Sequence, residues 1–171
     1  KAWFHTYNFP IIITNCSNNY GPWQYPEKLI PVTIINAINN KEIPIYGDGK
    51  NIRDWLYVED HAEALLIAAT RGEVGQSYCI GAFQEKRNID IVNNICDYLE
   101  KKFPNKNSHR NLITFIEDRL GHDRRYAIDS FKIMNELGWK PRHDFVKYLE
   151  ITIDWYLNNL EWVKKLSKNN N

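Results

Sequence analysis

The chain has 171 residues, with 22 basic and 21 acidic side chains and a formal net charge of +1. This length suits one domain with a real core, and the near-neutral balance gives no support to a nucleic-acid or membrane-surface role driven by bulk charge. The longest apolar runs are too short to span a bilayer, and the first ten residues lack the apolar stretch of a signal peptide. Cys16, Cys79 and Cys96 form no CxxC motif, which is typical of reduced thiols in a cytoplasmic protein.

The hydrophobic periodicity predicts helices and strands that alternate along the chain. In chain order they are a helix end at 1–8, a strand at 11–14, a helix at 28–40, a short strand running into a glycine turn at 43–49, a strand at 53–58, a helix at 59–71, a strand at 76–81, a helix at 88–103, a strand at 113–118, and helices at 130–139 and 145–166. We expect the Lys- and Asn-rich tail beyond them to be frayed and solvated.

This alternation favours an α/β fold with parallel strand pairing. About three of the strands could enter one large sheet, whereas the others are of the kind that forms small separate pairs. Such a sheet is thin for a complete doubly wound domain.

Four arginines lie in two motifs, "NIRDWLYV" and "EDRLGHDRRYAID": Arg53, Arg119, Arg124 and Arg125. A guanidinium group binds phosphate bidentately, so separate arginine positions at strand ends suit a diphosphate. The competing interpretation is an arginine–aspartate ion pair, because both motifs contain a neighbouring aspartate. From the residues alone both interpretations stay open.

Other familiar kinds of site find little support in the sequence. The stretch "YGDGK" at 46–50 lacks the spacing of a phosphate-binding glycine loop, so we expect a turn between strands. His109 and His122 are not at metal-ligand spacing from a second His or Cys, so no metal site is predicted. His5 and His61 are interpreted as surface or packing residues, and no motif for a catalytic serine or cysteine is present.

Four motifs together carry a resemblance to a known family: "TNCSNNYGPWQYPEKLIP", "PIYGDGKNIRDWLYVEDHAEAL", "YCIGAFQEKRNIDIV" and "DRLGHDRRYAID". They resemble the signatures of the dTDP-D-glucose 4,6-dehydratase family, a nucleotide-sugar branch of the extended short-chain dehydrogenases/reductases. The "NxYGP" turn alone would indicate only the superfamily, but its combination with "PEKLIP", "RDWLYVxDH" and "GHDRRYAID" is specific, and the resemblance covers almost the whole chain.

The resemblance implies a fold and an activity. The expected fold is α/β, namely the C-terminal part of an NAD-binding Rossmann-like fold plus a small mixed α/β substrate-binding lobe. Residues 1–27 would end the Rossmann domain and 28–171 would form mainly the lobe, with 53–81 returning to the Rossmann sheet. The family converts dTDP-D-glucose to dTDP-4-keto-6-deoxy-D-glucose by NAD-mediated oxidation, elimination of water and re-reduction.

The resemblance also implies that this chain is the C-terminal half of such an enzyme. In the family the GxGxxG loop, the Asp-Glu pair of the dehydration and the YxxxK pair all precede the point that corresponds to Lys1, so no catalytic residue is expected here. We therefore expect the isolated chain to be inactive. The expected partners are dTDP-glucose or dTDP and a second copy of the enzyme, joined through the Rossmann half, with no nucleic acid and no membrane.

Particular residues take roles by the same resemblance. Asn15, Cys16 and Ser17 would lie beside the nicotinamide of NAD. The substrate residues would be Asn18 at the diphosphate, Glu27, Lys28 and Leu29 closing over the nucleotide, Pro44, Ile45 and Tyr46 under the thymine, Arg53 as a phosphate clamp, Asn88 and Arg119 at ribose and phosphate, and His122 in the same loop.

The resemblance also assigns a purpose to the polar stretch at 15–31. We predict a substrate loop beyond the C-terminal end of a strand, where open α/β sheets bind their ligands. The alternative is a helix-entry turn capped by its asparagines.

Two other functions remain as alternatives. The first is a related nucleotide-sugar decarboxylase or epimerase, and the presence of the Asp-Glu pair upstream would distinguish a dehydratase from an epimerase. The second is a non-catalytic nucleotide-sugar-binding module. We consider the module the weaker alternative, because it would leave apolar strand edges exposed.

Overall fold

A computed structural model of the protein describes residues 1–104 and 108–168. Its helices are α1 (Ala2–Tyr7), α2 (Leu29–Ile38), α3 (Val58–Arg71), α4 (Asn88–Lys102), α5 (Phe131–Leu137), α6 (Phe145–Asn158) and α7 (Leu160–Lys168). Its strands are β1 (Ile13–Cys16), β2 (Asn18–Tyr20), β3 (Ile43–Tyr46), β4 (Ile52–Tyr57), β5 (Ser77–Ile80), β6 (Glu85–Arg87), β7 (Ile113–Ile116) and β8 (Arg125–Tyr126). The mixed α/β class predicted from the sequence is confirmed.

Strand β4 pairs with three other strands, β2, β6 and β8. Its second half pairs with β2 in parallel, with Asn18 opposite Trp55. Its first half pairs with β6 in an antiparallel ladder and with β8 in a parallel one. Two further parallel pairs, β1–β5 and β3–β7, stand apart from it. The predicted parallel pairing and small separate ladders are therefore confirmed, while the domain division at residues 27 and 28 stays a prediction.

The predicted elements need correction at several places, including the short strands β6 and β8, which the sequence did not predict. The first strand begins at Ile13 and not at residue 11. Residues 18–20, predicted as part of a turn, form strand β2. The single helix predicted over 145–166 is two helices separated at Asn159, whose side-chain amide donates to the carbonyl oxygen of Trp155 at 2.7 Å. Such a local bond competes with the helical backbone pattern. Residues 169–171 of the predicted tail lie outside the described residues.

Helix α2 begins as the sequence predicts, near its proline. Pro31 is the third residue of the helix, where a backbone N–H would have no partner within the helix, so the missing donor costs nothing. Lys28 precedes the helix and makes no side-chain capping bond. The alternative of a turn capped by asparagines is therefore wrong.

The core divides into two clusters. The larger cluster lies where α2, α4 and α6 pack together, and its fully buried members include Ile34, Ile95 and Ile153. The smaller cluster joins β4, α3, β5 and α5 through Leu56, Ala64, Tyr78, Ile80 and Ile133. Strand β4 separates the two clusters, because Trp55 belongs to the first and the neighbouring Leu56 to the second.

Across the described ranges, no helix has both the length and the apolar character that crossing a membrane requires.

Candidate functional site

A cavity of about 820 Å³ opens beside the first half of α2, between β3, β4 and the loop that follows β7. All the residues predicted to bind substrate line this cavity: Asn18, Glu27, Lys28, Leu29, Pro44, Ile45, Tyr46, Arg53, Asn88, Arg119 and His122. They come from six separate stretches of the chain, so only the tertiary fold brings them together. Their individual roles stay predictions.

Strand alternation orients the side chains of β3 and β4, although the buried Ile45 lines the cavity together with its exposed neighbours Pro44 and Tyr46. In β3 the side chains of Ile43 and Ile45 are buried, whereas Pro44 and Tyr46 are exposed. In β4, Arg53 and Trp55 are two residues apart and both line the cavity, because alternate residues of a strand share one face. Asp54 points to the other face and accepts hydrogen bonds from the backbone N–H groups of residues 82 and 84.

A glycine turn brings the loop after β7 onto the end of β3. Gly47 has a φ of +58°, and a Cβ there would lie 2.8 Å from Oδ2 of Asp118. Both the backbone conformation and this close approach favour glycine. Its N–H donates to the carbonyl oxygen of Ile116 at 2.9 Å, which continues the β3–β7 ladder into the turn.

Tyr46 forms an aromatic platform that is held by two neighbours. The guanidinium carbon of Arg119 lies 5.0 Å from the centre of the Tyr46 ring, which is cation–π geometry. The His122 ring approaches the same ring edge-on, with 6.4 Å between centroids. About two fifths of Tyr46 remains exposed (44%), so the ring can accept a further stacking partner.

The hydrogen bonds of His122 settle its tautomer. Arg119 can only donate, so Nε2 of His122, at 3.0 Å from the Arg119 guanidinium, accepts. Nδ1 therefore carries the proton and donates to Oδ1 of Asp118 at 2.6 Å. This bond, together with the backbone N–H of Arg119, holds the pKa of the Asp118 carboxyl below its usual range. The imidazole in this arrangement fixes the direction of the Arg119 side chain.

The cavity is electropositive because two of its cations lack a carboxylate partner. Arg53 donates to the carbonyl oxygens of Ile52 and Asp123 at 2.7 and 2.9 Å. Within the part of the chain that the structure describes, neither Arg53 nor Arg119 forms an ion pair, whereas Lys28 pairs with Glu27 at 2.9 Å. Two unneutralised guanidinium groups in one cavity are suited to a ligand with several negative charges.

The other two candidate arginines do not line the cavity. Arg124 pairs with Asp48 at 2.8 Å, and Arg125 pairs with Glu85 at 2.6 Å. The Arg124 bond lowers the pKa of Asp48 to about 2. The ion-pair interpretation therefore holds for these two arginines and not for Arg53 and Arg119.

Four further residues line the cavity that the sequence did not single out: Asn19, Gln24, Val32 and Trp55. Oδ1 of Asn19, Oε1 of Gln24, Oδ1 of Asn88 and Nε1 of Trp55 are buried and have no hydrogen-bond partner among the described residues. Buried polar atoms normally have partners, so this group indicates unused hydrogen-bonding capacity in the wall. Trp55 could have been found from its two-residue spacing to Arg53, whereas Gln24 gave no sequence signal.

The three predicted cofactor residues lie away from this cavity, at and beyond the end of β1. Ser17 is buried, its N–H donates to the carbonyl oxygen of Ile80 at 2.9 Å, and its Oγ has no partner among the described residues. Cys16 accepts a weak bond from the Asn19 amide at 3.4 Å, and Asn15 is exposed. The structure therefore does not join these residues to the substrate residues in one cavity.

Comparisons with known proteins were made for the whole chain. The family model described as GDP-mannose 4,6 dehydratase matches residues 1–152. A curated relative, the dTDP-glucose 4,6-dehydratase of Shigella flexneri, is 55% identical over 97% of this chain and 46% of its own length. The chain thus spans about half the length of the curated relatives it matches.

Solved structures give the same result. The dTDP-glucose 4,6-dehydratase of Bacillus anthracis in complex with NAD has a TM-score of 0.87 and 46% identity, covering 96% of this chain and 50% of that one. The Streptomyces venezuelae dTDP-glucose 4,6-dehydratase with NAD and dTDP bound has a TM-score of 0.90 and 36% identity, covering 96% and 49%. The resemblance that the motifs carry is confirmed.

Proposed function

The chain belongs to the GDP-mannose 4,6 dehydratase family, and from this premise we propose that the protein containing it is a dTDP-D-glucose 4,6-dehydratase. It would convert dTDP-D-glucose to dTDP-4-keto-6-deoxy-D-glucose, and this chain would supply the half that binds the sugar nucleotide. The high identity to relatives that carry this enzyme name supports the proposal over a decarboxylase or an epimerase.

One observation carries the proposal: two guanidinium groups, without carboxylate partners among the described residues, share one cavity with an exposed aromatic ring, and that of Arg119 lies over this ring. A nucleoside diphosphate has the matching parts, a polyanionic diphosphate and a flat base. We assign the diphosphate to Arg53, Arg119 and the Asn18 amide, and the thymine to the face of Tyr46. The unpartnered Oδ1 of Asn88 would accept a hydrogen bond from a ribose hydroxyl.

The residues near the end of β1 suit one end of NAD. When bound, NAD would supply the acceptor and donor of a hydride. The buried Oγ of Ser17 has no hydrogen-bond partner in the described part of the chain and fits hydrogen bonding to a carboxamide such as that of nicotinamide, with Cys16 and Asn15 beside it. The 171 residues contain no GxGxxG motif for the dinucleotide phosphates, so the fit covers the nicotinamide end alone.

Activity would need residues that this chain does not contain. By the resemblance, the Asp-Glu pair and the YxxxK pair of the family belong to the half of the enzyme that precedes these residues, so we propose that the isolated chain binds nucleotide and does not turn substrate over. We further propose a cytoplasmic homodimer that associates through the Rossmann half, including α1. Exposed Trp3 and Tyr7 on α1, a helix without a buried residue, support a covering partner segment.

The test compares the complete product of the gene with residues 1–171 alone. Both are titrated with dTDP and then incubated with dTDP-glucose and NAD, and the sugar product is identified by mass spectrometry and NMR. We expect dTDP binding by both proteins and formation of the 4-keto-6-deoxy product by the complete protein only. A product epimerised without loss of water would contradict the dehydratase assignment, and turnover by residues 1–171 would contradict their inactivity.

A further inference from the structure

Three tryptophans form a cluster outside the cavity wall. The ring of Trp23 lies 4.9 Å from that of Trp155 and 5.3 Å from that of Trp162, measured between centroids. Trp155 and Trp162 are 5.3 Å apart, and all three pairs are edge-to-face. This geometry is favourable for aromatic rings beyond the area that they bury. We call these three residues the aromatic clamp.

The clamp joins the loop at 21–28 to the two C-terminal helices. Trp23 lies in this loop, between β2 and α2, whereas Trp155 belongs to α6 and Trp162 to α7. A second contact follows at the next residue, because the hydroxyl of the fully buried Tyr156 donates to the carbonyl oxygen of Gln24. The loop is therefore held by α6 and α7 at two consecutive positions.

The backbone at Trp23 is unusual for a residue with a side chain. Its φ is +65°, in the left-handed region that few non-glycine residues adopt. Such a conformation persists only where surrounding contacts compensate for it. The contacts of the indole with α6 and α7 provide that compensation, although 64% of Trp23 is exposed.

The break between α6 and α7 creates the other side of the clamp. Asn159 ends α6, and its side-chain amide donates to the carbonyl oxygen of Trp155. The turn directs α7 so that Trp162 packs edge-to-face on Trp155. The departure from a single straight helix and the clamp therefore have one structural origin.

The loop that the clamp holds carries part of the cavity wall. Gln24 lines the cavity and its side chain donates to the carbonyl oxygen of Asn19 at 2.8 Å, and Glu27 and Lys28 follow in the same wall. Trp23 itself is not a lining residue. Any effect of Trp23 on a ligand must therefore pass through the loop.

We propose that the aromatic clamp positions the loop at 21–28 against the cavity and thereby sets the affinity for the nucleoside diphosphate part of the substrate. This inference rests on the proposed function. Trp23, Trp155 and Trp162 are positioning residues: they touch neither the diphosphate nor the reacting sugar carbons, and they act through Gln24, Glu27 and Lys28.

The test uses the complete protein and three variants: Trp23→Ala, Trp23→Phe and Leu66→Ala. Leu66, on α3, is the matched control, because it is 64% exposed like Trp23 and lies away from the cavity. We expect Trp23→Ala to raise the Kd of dTDP and the KM of dTDP-glucose about tenfold with kcat within about twofold of wild type. Trp23→Phe keeps a ring and should restore both to within about threefold, and Leu66→Ala should change neither.

Several results would overturn the inference. Unchanged Kd and KM in Trp23→Ala would do so, as would a fall in kcat at constant KM. If Trp23→Ala does not fold, Trp162→Leu decides in its place, because it leaves Trp23 intact and removes one contact; a wild-type Kd would then refute the clamp.

A second measurement separates this inference from the proposed function. If the wild-type protein binds no dTDP, the proposed function fails. Amide hydrogen exchange of residues 21–28 without ligand still tests the clamp, since Trp23→Ala must exchange faster there than wild type, and equal rates refute it.

Discussion

Arg119 lies in the cavity without a carboxylate partner, whereas Arg124, five residues later, forms an ion pair with Asp48 on the outside of the same loop. Arg53 and Arg125 repeat the contrast, because Arg53 donates only to carbonyl oxygens and Arg125 pairs with Glu85. The exposed pairs attach the loop to neighbouring segments and contribute little each. The unpartnered pair leaves positive charge in a concave site, which only an anionic ligand would neutralise.

Replacing Arg53 should have the largest effect on dTDP binding. Arg53→Met removes the charge and the bidentate donor, and we expect the Kd of dTDP to rise about 100-fold, since bonds to charged groups are the stronger ones. Isothermal titration measures it. The matched control Arg125→Met removes an ion-paired arginine and should stay within about twofold of wild type; equal losses in both variants would refute the distinction.

Replacing Tyr46 should weaken dTDP binding less, because only the contact with the thymine base is lost. Tyr46→Leu removes the stacking ring, so the Kd of dTDP should rise about tenfold while the Kd of inorganic pyrophosphate stays near wild type. Tyr46→Phe should bind dTDP like wild type, because the structure gives the Tyr46 hydroxyl no hydrogen bond among the described residues. Competition titrations with dTDP and pyrophosphate measure the two Kd values. An equal loss of pyrophosphate binding in Tyr46→Leu would show that the Tyr46 ring acts through Arg119.

Gly47→Ala should weaken both stability and binding. The positive φ of Gly47 and the approach of Asp118 predict a loss of about 1–2 kcal/mol in the free energy of unfolding. Displacement of Asp118 should also raise the Kd of dTDP about threefold through His122 and Arg119. Gly138 has a φ of +72° and open space around it, so Gly138→Ala should lose stability only. Urea unfolding measures the stability, and dTDP titration measures the Kd. Unchanged dTDP binding in Gly47→Ala would show that Asp118 does not affect the site.

The Asp48–Arg124 pair should have the smallest effect, and it should depend on pH. The pKa of the Asp48 carboxyl in the folded protein, about 2, lies below the ordinary 3.8. As the pH falls, the unfolded chain therefore binds a proton at Asp48 before the folded protein does. The stabilisation is therefore complete above about pH 4 and is lost as the pH falls through about 2. NMR titration of the Asp48 carboxyl should give a pKa of about 2 in wild type and a higher pKa in Arg124→Gln, still below 3.8 because the backbone N–H and the ammonium group of Lys50 remain beside Asp48. An unchanged pKa in the variant would refute the pairing.

Several elements were predictable because their signal is local. The helices at α3 and α4 follow from apolar periodicity and from acidic first turns, and both lie within one residue of their predicted bounds. Strands β2, β6 and β8 were missed because each has only two or three residues and little apolar pattern. They exist because β4 offers its edges to them, a contact that no local window contains.

The candidate site likewise has features that the sequence predicts and features that only the tertiary fold determines. The motif resemblance identified residues that line the cavity. The chemistry of ligand binding restricts which side chains can serve, and the motifs that contain these side chains follow one another along the chain. The residue pattern alone could not tell Arg53 and Arg119 from Arg124 and Arg125, because each motif carries a neighbouring aspartate; the resemblance assigned roles only to Arg53 and Arg119. The fold places Arg53 and Arg119 in the cavity wall and pairs Arg124 and Arg125 with carboxylates outside it.

The sequence by itself determined the α/β class, the order of the main elements, the family and the identity of the side chains that meet in the cavity, because these depend on local periodicity and on residue type. The tertiary structure decided which arginines are neutralised, which polar atoms lack partners and how Trp23 meets Trp155 and Trp162. Those outcomes depend on distances between segments that are far apart in the chain. A distance of that kind is set by packing of the whole fold and not by any single stretch of residues.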